Sequence, residues 1–187
     1  MALIGVLALQ GGFAAHARML RGLGAEVHEV RVAGDLYGLD GLVMPGGEST
    51  TMTLGVEREG LAEPLRAFHA AGRPIFGTCA GLIMLDRAHL GLMDITAERN
   101  AFGRQLHSFE ADLDFPGLEG GPVRAVFIRA PWIRDVGTDV EVLAEVDGHP
   151  VAARQGSLLA ISFHPELGDD HRLHAAFLDE VRARARR

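Results

Sequence analysis

Apolar and polar residues fall into blocks along this chain, and the blocks alternate in kind. Leu3–Leu9 is an unbroken apolar run, which predicts a strand buried on both faces rather than one with a wet side. His16–Leu23 carries Met19, Leu20 and Leu23 at helical spacing, and Gly24 stops it. Glu26–Val30 and Gly41–Met44 predict two further strands, the second ended by Pro45-Gly46-Gly47. Leu61–Ala71 places Leu61, Leu65 and Phe68 on one helical face before Gly72. Ile75–Thr78 predicts a fourth strand and Ala80–Leu85 the start of a helix. This β-α-β-β-α-β-α rhythm is that of a parallel sheet covered on both faces.

The second half changes period. Ser108–Leu113, Val123–Ile128, Val140–Val146, Val151–Gln155 and Leu158–Ser162 predict short strands with turn residues between them. Asp147-Gly148 fits a hairpin turn, and Arg172–Arg184 predicts a closing helix. With no linker, repeat or low-complexity segment, residues 1–187 are expected to form a single α/β domain with a mixed sheet.

Composition narrows the function classes. No apolar run approaches the ~18 residues a membrane span needs. The apolar N-terminus lacks a basic leader and a small-x-small cleavage site, so it reads as a first strand of a cytoplasmic protein. A net charge of −7 argues against a nucleic-acid partner. All 18 basic residues are arginine, so no side chain here can form a lysine Schiff base. Cys79 is the single cysteine, which excludes an internal disulfide and any multi-cysteine zinc site.

Cys79 also marks the candidate chemistry. It lies in Gly77-Thr-Cys-Ala-Gly81, where a short apolar strand turns into a helix. Such an elbow needs small neighbours, and a helix N-terminus favours a thiolate and offers free N–H groups to an oxyanion. A buried, inert cysteine is the plain alternative. Ser162-Phe-His-Pro-Glu166 follows another strand. If that backbone stays extended, His164 and Glu166 share a face, so Glu166 can orient the imidazole towards a thiol. The same stretch admits a metal reading through His164, Glu166, Asp169, Asp170, His171 and His174. Met44-Pro-Gly-Gly-Glu-Ser-Thr-Thr51 lets backbone N–H groups approach a ligand, or is a turn in which Ser49 or Thr50 caps the next helix. It lacks the lysine of a phosphate-binding loop.

Taken together, Pro45-Gly-Gly-Glu48, Gly77-Thr-Cys-Ala-Gly81 and His164-Pro-Glu166 resemble the class I triad glutamine amidotransferases. Gly5-Val-Leu-Ala-Leu-Gln-Gly11, Pro45-Gly-Gly-Glu-Ser-Thr50, Glu98-Arg-Asn-Ala-Phe-Gly-Arg-Gln105, Ser108-Phe-Glu-Ala-Asp-Leu113 and Phe127-Ile-Arg-Ala-Pro131 resemble the glutaminase subunits of two-component pyridoxal 5′-phosphate synthases. The resemblance implies a three-layer α/β/α, flavodoxin-like domain with a central mixed sheet. It implies hydrolysis of L-glutamine to glutamate and ammonia through a glutamyl thioester, without cofactor or metal. Ammonia would pass to a barrel-fold synthase subunit in a hetero-oligomer. By position, the resemblance makes Cys79 the nucleophile, His164 the base then acid, and Glu166 the orienter. It gives the oxyanion hole to Gly47 and Ala80 backbone amides, and glutamine binding to Gly46, Gly47, Glu48, Ser49, Arg99, Ile128 and Arg129.

The chemistry suits these types. A primary amide is a poor electrophile that needs oxyanion stabilisation and a protonated leaving group. An arginine such as Arg99 or Arg129 suits the α-carboxylate of glutamine. Two departures stand out: Asp86-Arg-Ala-His89 is short where relatives carry an insertion, and Trp132 stands where they often have histidine. Two other readings compete: a glutaminase serving another synthase, such as the one making imidazole glycerol phosphate, and a thiol sensor with no need of His164. The family's coupling to its synthase predicts low activity for the chain alone.

Overall fold

The computed structural model describes residues 1–102 and 108–186. Gly103, Arg104 and Gln105 of the arginine-rich block lie outside the described residues, as does Arg187. Seven strands form the central sheet: β1 (Leu3–Leu7), β2 (Glu26–Val30), β3 (Gly41–Met44), β4 (Ile75–Thr78), β9 (Glu141–Val146), β10 (His149–Gln155) and β11 (Leu158–Ile161). Their order is β2-β1-β3-β4-β11-β10-β9. The first five in that order run parallel, and β10 pairs antiparallel with both β11 and β9. The sheet is therefore mixed, as expected. Asp147 and Gly148 have φ of 52° and 77°, which makes the β9–β10 connection the hairpin that the Asp-Gly pair predicts.

Helices cover both faces. One face packs α2 (Ser49–Arg58), α3 (Ala62–Ala70) and α4 (Ala80–Leu85) through Met52, Val56, Leu65, Leu82 and Leu85. The other packs α1 (Phe13–Gly22) and α5 (Arg172–Ala185) through Ala17, Leu20, Phe177, Leu178 and Val181. The continuous apolar runs of β1, β3 and β4 follow from this double burial: Ile4, Val6, Leu42, Val43, Ile75 and Phe76 are all fully buried. Two small pairs flank the sheet, β5 (Ile95–Glu98) with β8 (Trp132–Val136), and β6 (Ser108–Leu113) with β7 (Val123–Ile128).

Strands β5 and β8 are additions to the sequence reading, and α2 is the helix that the Ser49 or Thr50 cap implies without giving its extent. Thr50, Thr51, Thr53 and Gly55 are weak helix formers, and only Met52 and Val56 mark the buried stripe of α2. The two strands are short, and β8 carries Arg134 and Asp135 in its middle. The short segment after α4 is closed by buried Asp86. Its carboxylate accepts the Ala88 and His89 N–H groups at 2.9 and 3.1 Å and the Ala97 N–H at 3.2 Å. Trp132 stacks on His149, with ring centroids 3.6 Å apart and planes 10° apart, so the second departure is absorbed by packing.

Candidate active site

The sheet order reverses beside β1, and ligands in such sheets bind at the carboxyl ends of the strands. Four adjacent parallel strands end at one cleft here. Gln10 follows β1, Gly47, Glu48 and Ser49 follow β3, Cys79 follows β4, and His164 follows β11. The cleft measures about 340 Å³ and is closed by Ala80, Ile83, Arg99, Asn100, Ile128, Arg129 and Pro131. Sequence reasoning had named most of these residues, and the fold brings them together from six separate stretches of chain.

Cys79 is buried and holds φ 49°, ψ −104°, a left-handed backbone that a side-chain-bearing residue adopts at a cost. Packing holds it there. A methyl group on Gly77 would lie 2.7 Å from the Gly81 carbonyl, and one on Gly81 would overlap the Met44 carbonyl oxygen. The Cys79 N–H donates to the Ile161 carbonyl at 2.8 Å, which ties the elbow to β11. Ala80 is the first residue of α4, so its N–H has no partner within the helix.

His164 precedes a 3₁₀ turn, Pro165–Leu167, rather than continuing β11. The turn, not an extended strand, brings the two side chains together: Nδ1 of His164 lies 2.7 Å from Oε1 of Glu166. The His164 N–H donates to the Val126 carbonyl at 2.9 Å, fixing the loop to β7. Burial alone would lower the His164 pKa. Hydrogen bonding to Cys79 and Glu166 outweighs it and raises the value to about 10. Burial likewise opposes ionisation of Glu166, but the nearby His16 ring and the hydrogen bond to His164 hold its carboxyl well below the usual range. Gly46 packs between the partners, and a methyl there would overlap the His164 ring and lie 3.1 Å from Cys79 Cβ.

The opposite rim is exposed and polar. Glu48, rather than Ser49 or Thr50, caps α2: its carboxylate accepts the Thr50 and Thr51 N–H groups at 3.0 and 2.7 Å. Those two N–H groups lower its pKa to about 2. Ser49 is buried as the first residue of the helix. Arg99 donates to Glu48 Oε1 and Thr50 Oγ1, both at 3.2 Å. Arg129 lines the cleft with φ 43° and has no ion pair among the described residues. Gln10, to which sequence reasoning gave no role of its own, accepts the Glu48 N–H on its side-chain oxygen at 2.9 Å. A methyl on Gly47 would collide with that same side chain.

The metal reading loses its geometry. His171 is exposed at the start of α5, whereas His174 is fully buried and faces His16. Among the described residues, no group of three or more His, Cys, Asp or Glu side chains is placed to hold an ion. Nor is any described helix long and apolar enough to cross a membrane.

A thiol at a strained elbow, an imidazole held by a buried carboxylate and a polar cleft between them are the parts that nucleophilic acyl transfer requires. Known proteins share the whole frame. The SNO glutamine amidotransferase family model matches residues 6–183. The chain belongs to that family. Pyridoxal 5′-phosphate synthase subunit PdxT of Geobacillus thermodenitrificans is 57% identical over 186 residues, covering 96% of this chain and 95% of the relative. The protein of the same name from Frankia alni is 54% identical over 189 residues, with 96% and 95% covered. A crystal structure of a glutamine amidotransferase superposes with a TM-score of 0.89 at 47% identity, covering 95% of this chain and 98% of its own. PurLQS from Thermotoga maritima, 16% identical with a TM-score of 0.74 over 95% and 97% of the two chains, shares the fold alone. This family membership and the mixed α/β sheet agree with the fold expected from the sequence.

Proposed function

We propose that this chain is the glutaminase subunit of a pyridoxal 5′-phosphate synthase and hydrolyses L-glutamine through Cys79, His164 and Glu166. The observation that carries the reading is the 2.7 Å His164–Glu166 contact beside a strained cysteine, in a chain 57% identical to a PdxT subunit.

In this reading Cys79 attacks the side-chain amide carbon and His164 receives the thiol proton. The developing oxyanion takes hydrogen bonds from the Gly47 and Ala80 amides. His164 then protonates the departing nitrogen, the C–N bond breaks, and a glutamyl thioester and ammonia remain. Water, activated by His164, attacks the thioester; glutamate leaves and the thiol regains its proton. Glu166 stays ionised and keeps Nδ1 of His164 protonated, leaving Nε2 for the reaction.

Glutamine binding falls to Gly46, Gly47, Glu48, Ser49, Arg99, Ile128 and Arg129. Arg99 is already paired with Glu48 and donates to Thr50, while Arg129 has no carboxylate partner among the described residues. A substrate carboxylate therefore meets Arg129 at no cost in broken ion pairs, and Arg99 only by exchange with Glu48. The Gly46 carbonyl accepts the Gly12 N–H at 3.0 Å, which fixes the peptide that carries the Gly47 N–H. Ammonia is consumed on a barrel-fold partner, in keeping with a chain that has no lysine for Schiff-base chemistry. Trapping the reaction with a glutamine-derived chloroketone and mapping the adduct by mass spectrometry tests the assignment. Label on Cys79 is expected; a label elsewhere, or none with an active complex, contradicts it.

A further inference from the structure

Behind the triad lies a second set of buried polar groups that the mechanism above does not use. His16 on α1 and His174 on α5 are both fully buried, and Nδ1 of His16 lies 2.8 Å from Nε2 of His174. Nε2 of His16 lies 3.3 Å from Oε2 of Glu166 and 3.2 Å from Oγ1 of Thr78, the residue before the nucleophile. The Glu166 side chain is only 2% exposed. Its Oε1 is taken by His164, whereas Oε2 is buried with no hydrogen-bond partner; the His16 Nε2, 3.3 Å away, is the ring nitrogen beside it. A buried carboxylate oxygen left without a donor is costly, and a proton on the neighbouring His16 Nε2 lowers that cost electrostatically.

The contacts also choose the proton positions. Burial pushes the His174 pKa down to about 3, so that ring is neutral near pH 7. Its Nδ1 is buried without a partner. A bare ring lone pair is tolerated there better than an orphan N–H, so the His174 proton belongs on Nε2 and is donated to Nδ1 of His16. The His16 proton then belongs on Nε2, aimed at Glu166 and Thr78. A doubly protonated His16 would force the His174 proton onto the orphan nitrogen. Sterics keep this face closed as well, since a methyl on Gly12 would lie 2.9 Å from Glu166 Oε1.

Resting on the glutaminase reading above, we propose that His16 is a positioning residue of the reaction. Its Nε2–H holds Oε2 of Glu166 so that Oε1 stays aligned on His164, and His174 sets the required His16 tautomer. The titratable groups in contact with it are Glu166 from the 3₁₀ loop and His174 from α5, and His164 meets the other oxygen of the same carboxylate. Without the His16 N–H, Oε2 faces no positive dipole, and the Glu166 carboxylate is free to turn away from His164.

The test is glutamine hydrolysis by the full chain with its synthase partner from pH 5 to 9, for wild type, His16→Gln and His16→Leu. The leucine variant is expected to lose about ten- to a hundredfold in kcat, the range for a hydrogen bond to a charged group. Its KM should stay within about twofold, because the change touches orientation of the catalytic imidazole and not substrate binding. Glutamine at this position can still donate an amide N–H, so His16→Gln should keep kcat within about threefold of wild type. A folded leucine variant with the wild-type kcat, or a glutamine variant as impaired as the leucine one, overturns the inference. A wild-type complex that hydrolyses no glutamine overturns the glutaminase reading and this inference with it. Should the leucine variant not fold, ¹⁵N shifts of the wild-type His16 ring decide: protonated Nε2 with bare Nδ1 supports the role, and the opposite tautomer overturns it.

Discussion

On one wall of the cleft, His164 and Glu166 have side chains only 12% and 2% exposed; on the other, Glu48 and Arg99 are 48% and 50% exposed. The first wall is held from several directions at once, by the Val126 carbonyl, by His16 and by glycines that admit no methyl group. The second is held by solvent-exposed contacts, which are individually weak. The contrast separates two tasks. In the proposed reading, geometry for bond-making is built into the buried wall, whereas the rim assigned to substrate can exchange its ion pairs.

The sharpest way to break this comparison is at the nucleophile. Cys79→Ala should lower glutamine hydrolysis by at least about 10³-fold, measured as glutamate formation with the synthase partner present. Next comes a test of packing without any change of chemical group. Gly46→Ala should push the His164 ring from its place and cost about 10²-fold in kcat, the expected result of an ångström-scale misplacement. Spared kcat in that variant would show that the buried wall is looser than its contacts imply.

The rim should respond differently. Arg129→Ala should raise the KM for glutamine about ten- to a hundredfold while changing kcat little, because it removes binding shared by ground and transition states. A pure kcat defect would place Arg129 on the wrong side of the comparison.

The smallest expected effect concerns His174. Its folded pKa, lowered to about 3, lies below the ordinary 6.5. The unfolded chain therefore takes up this proton first, and stability falls as pH drops through 6.5. Between pH 7 and pH 5 this linkage amounts to about 2 kcal/mol. His174→Gln, which cannot titrate, should show a smaller drop in Tm over that range, by several degrees for a chain of this size. Equal drops in both proteins would mean that His174 is not buried neutral.

The two walls were not equally readable in the sequence. Cys79, His164 and Glu166 announce themselves through small neighbours and spacing, although the backbone joining His164 to Glu166 is a 3₁₀ turn rather than an extended strand. The parallel strands were legible because double burial makes them continuously apolar. The cap and extent of helix α2 were not, because the capping side chain is a glutamate and its threonines resemble loop composition. His16 was invisible as a polar partner: one histidine among alanines on a helix reads as core until the fold sets it beside Glu166. Gln10 acts through a hydrogen bond to Glu48, 38 residues away, which no local pattern encodes.

The central claim is that the chain carries a complete triad whose output depends on a second protein. Glutamate formation by the purified chain, measured with and without the barrel-fold synthase subunit and repeated with Cys79→Ala, tests it most directly. The account predicts low activity alone, a marked rise with the partner, and loss of both in the variant. Full-rate hydrolysis without the partner, or activity that survives Cys79→Ala, would contradict it.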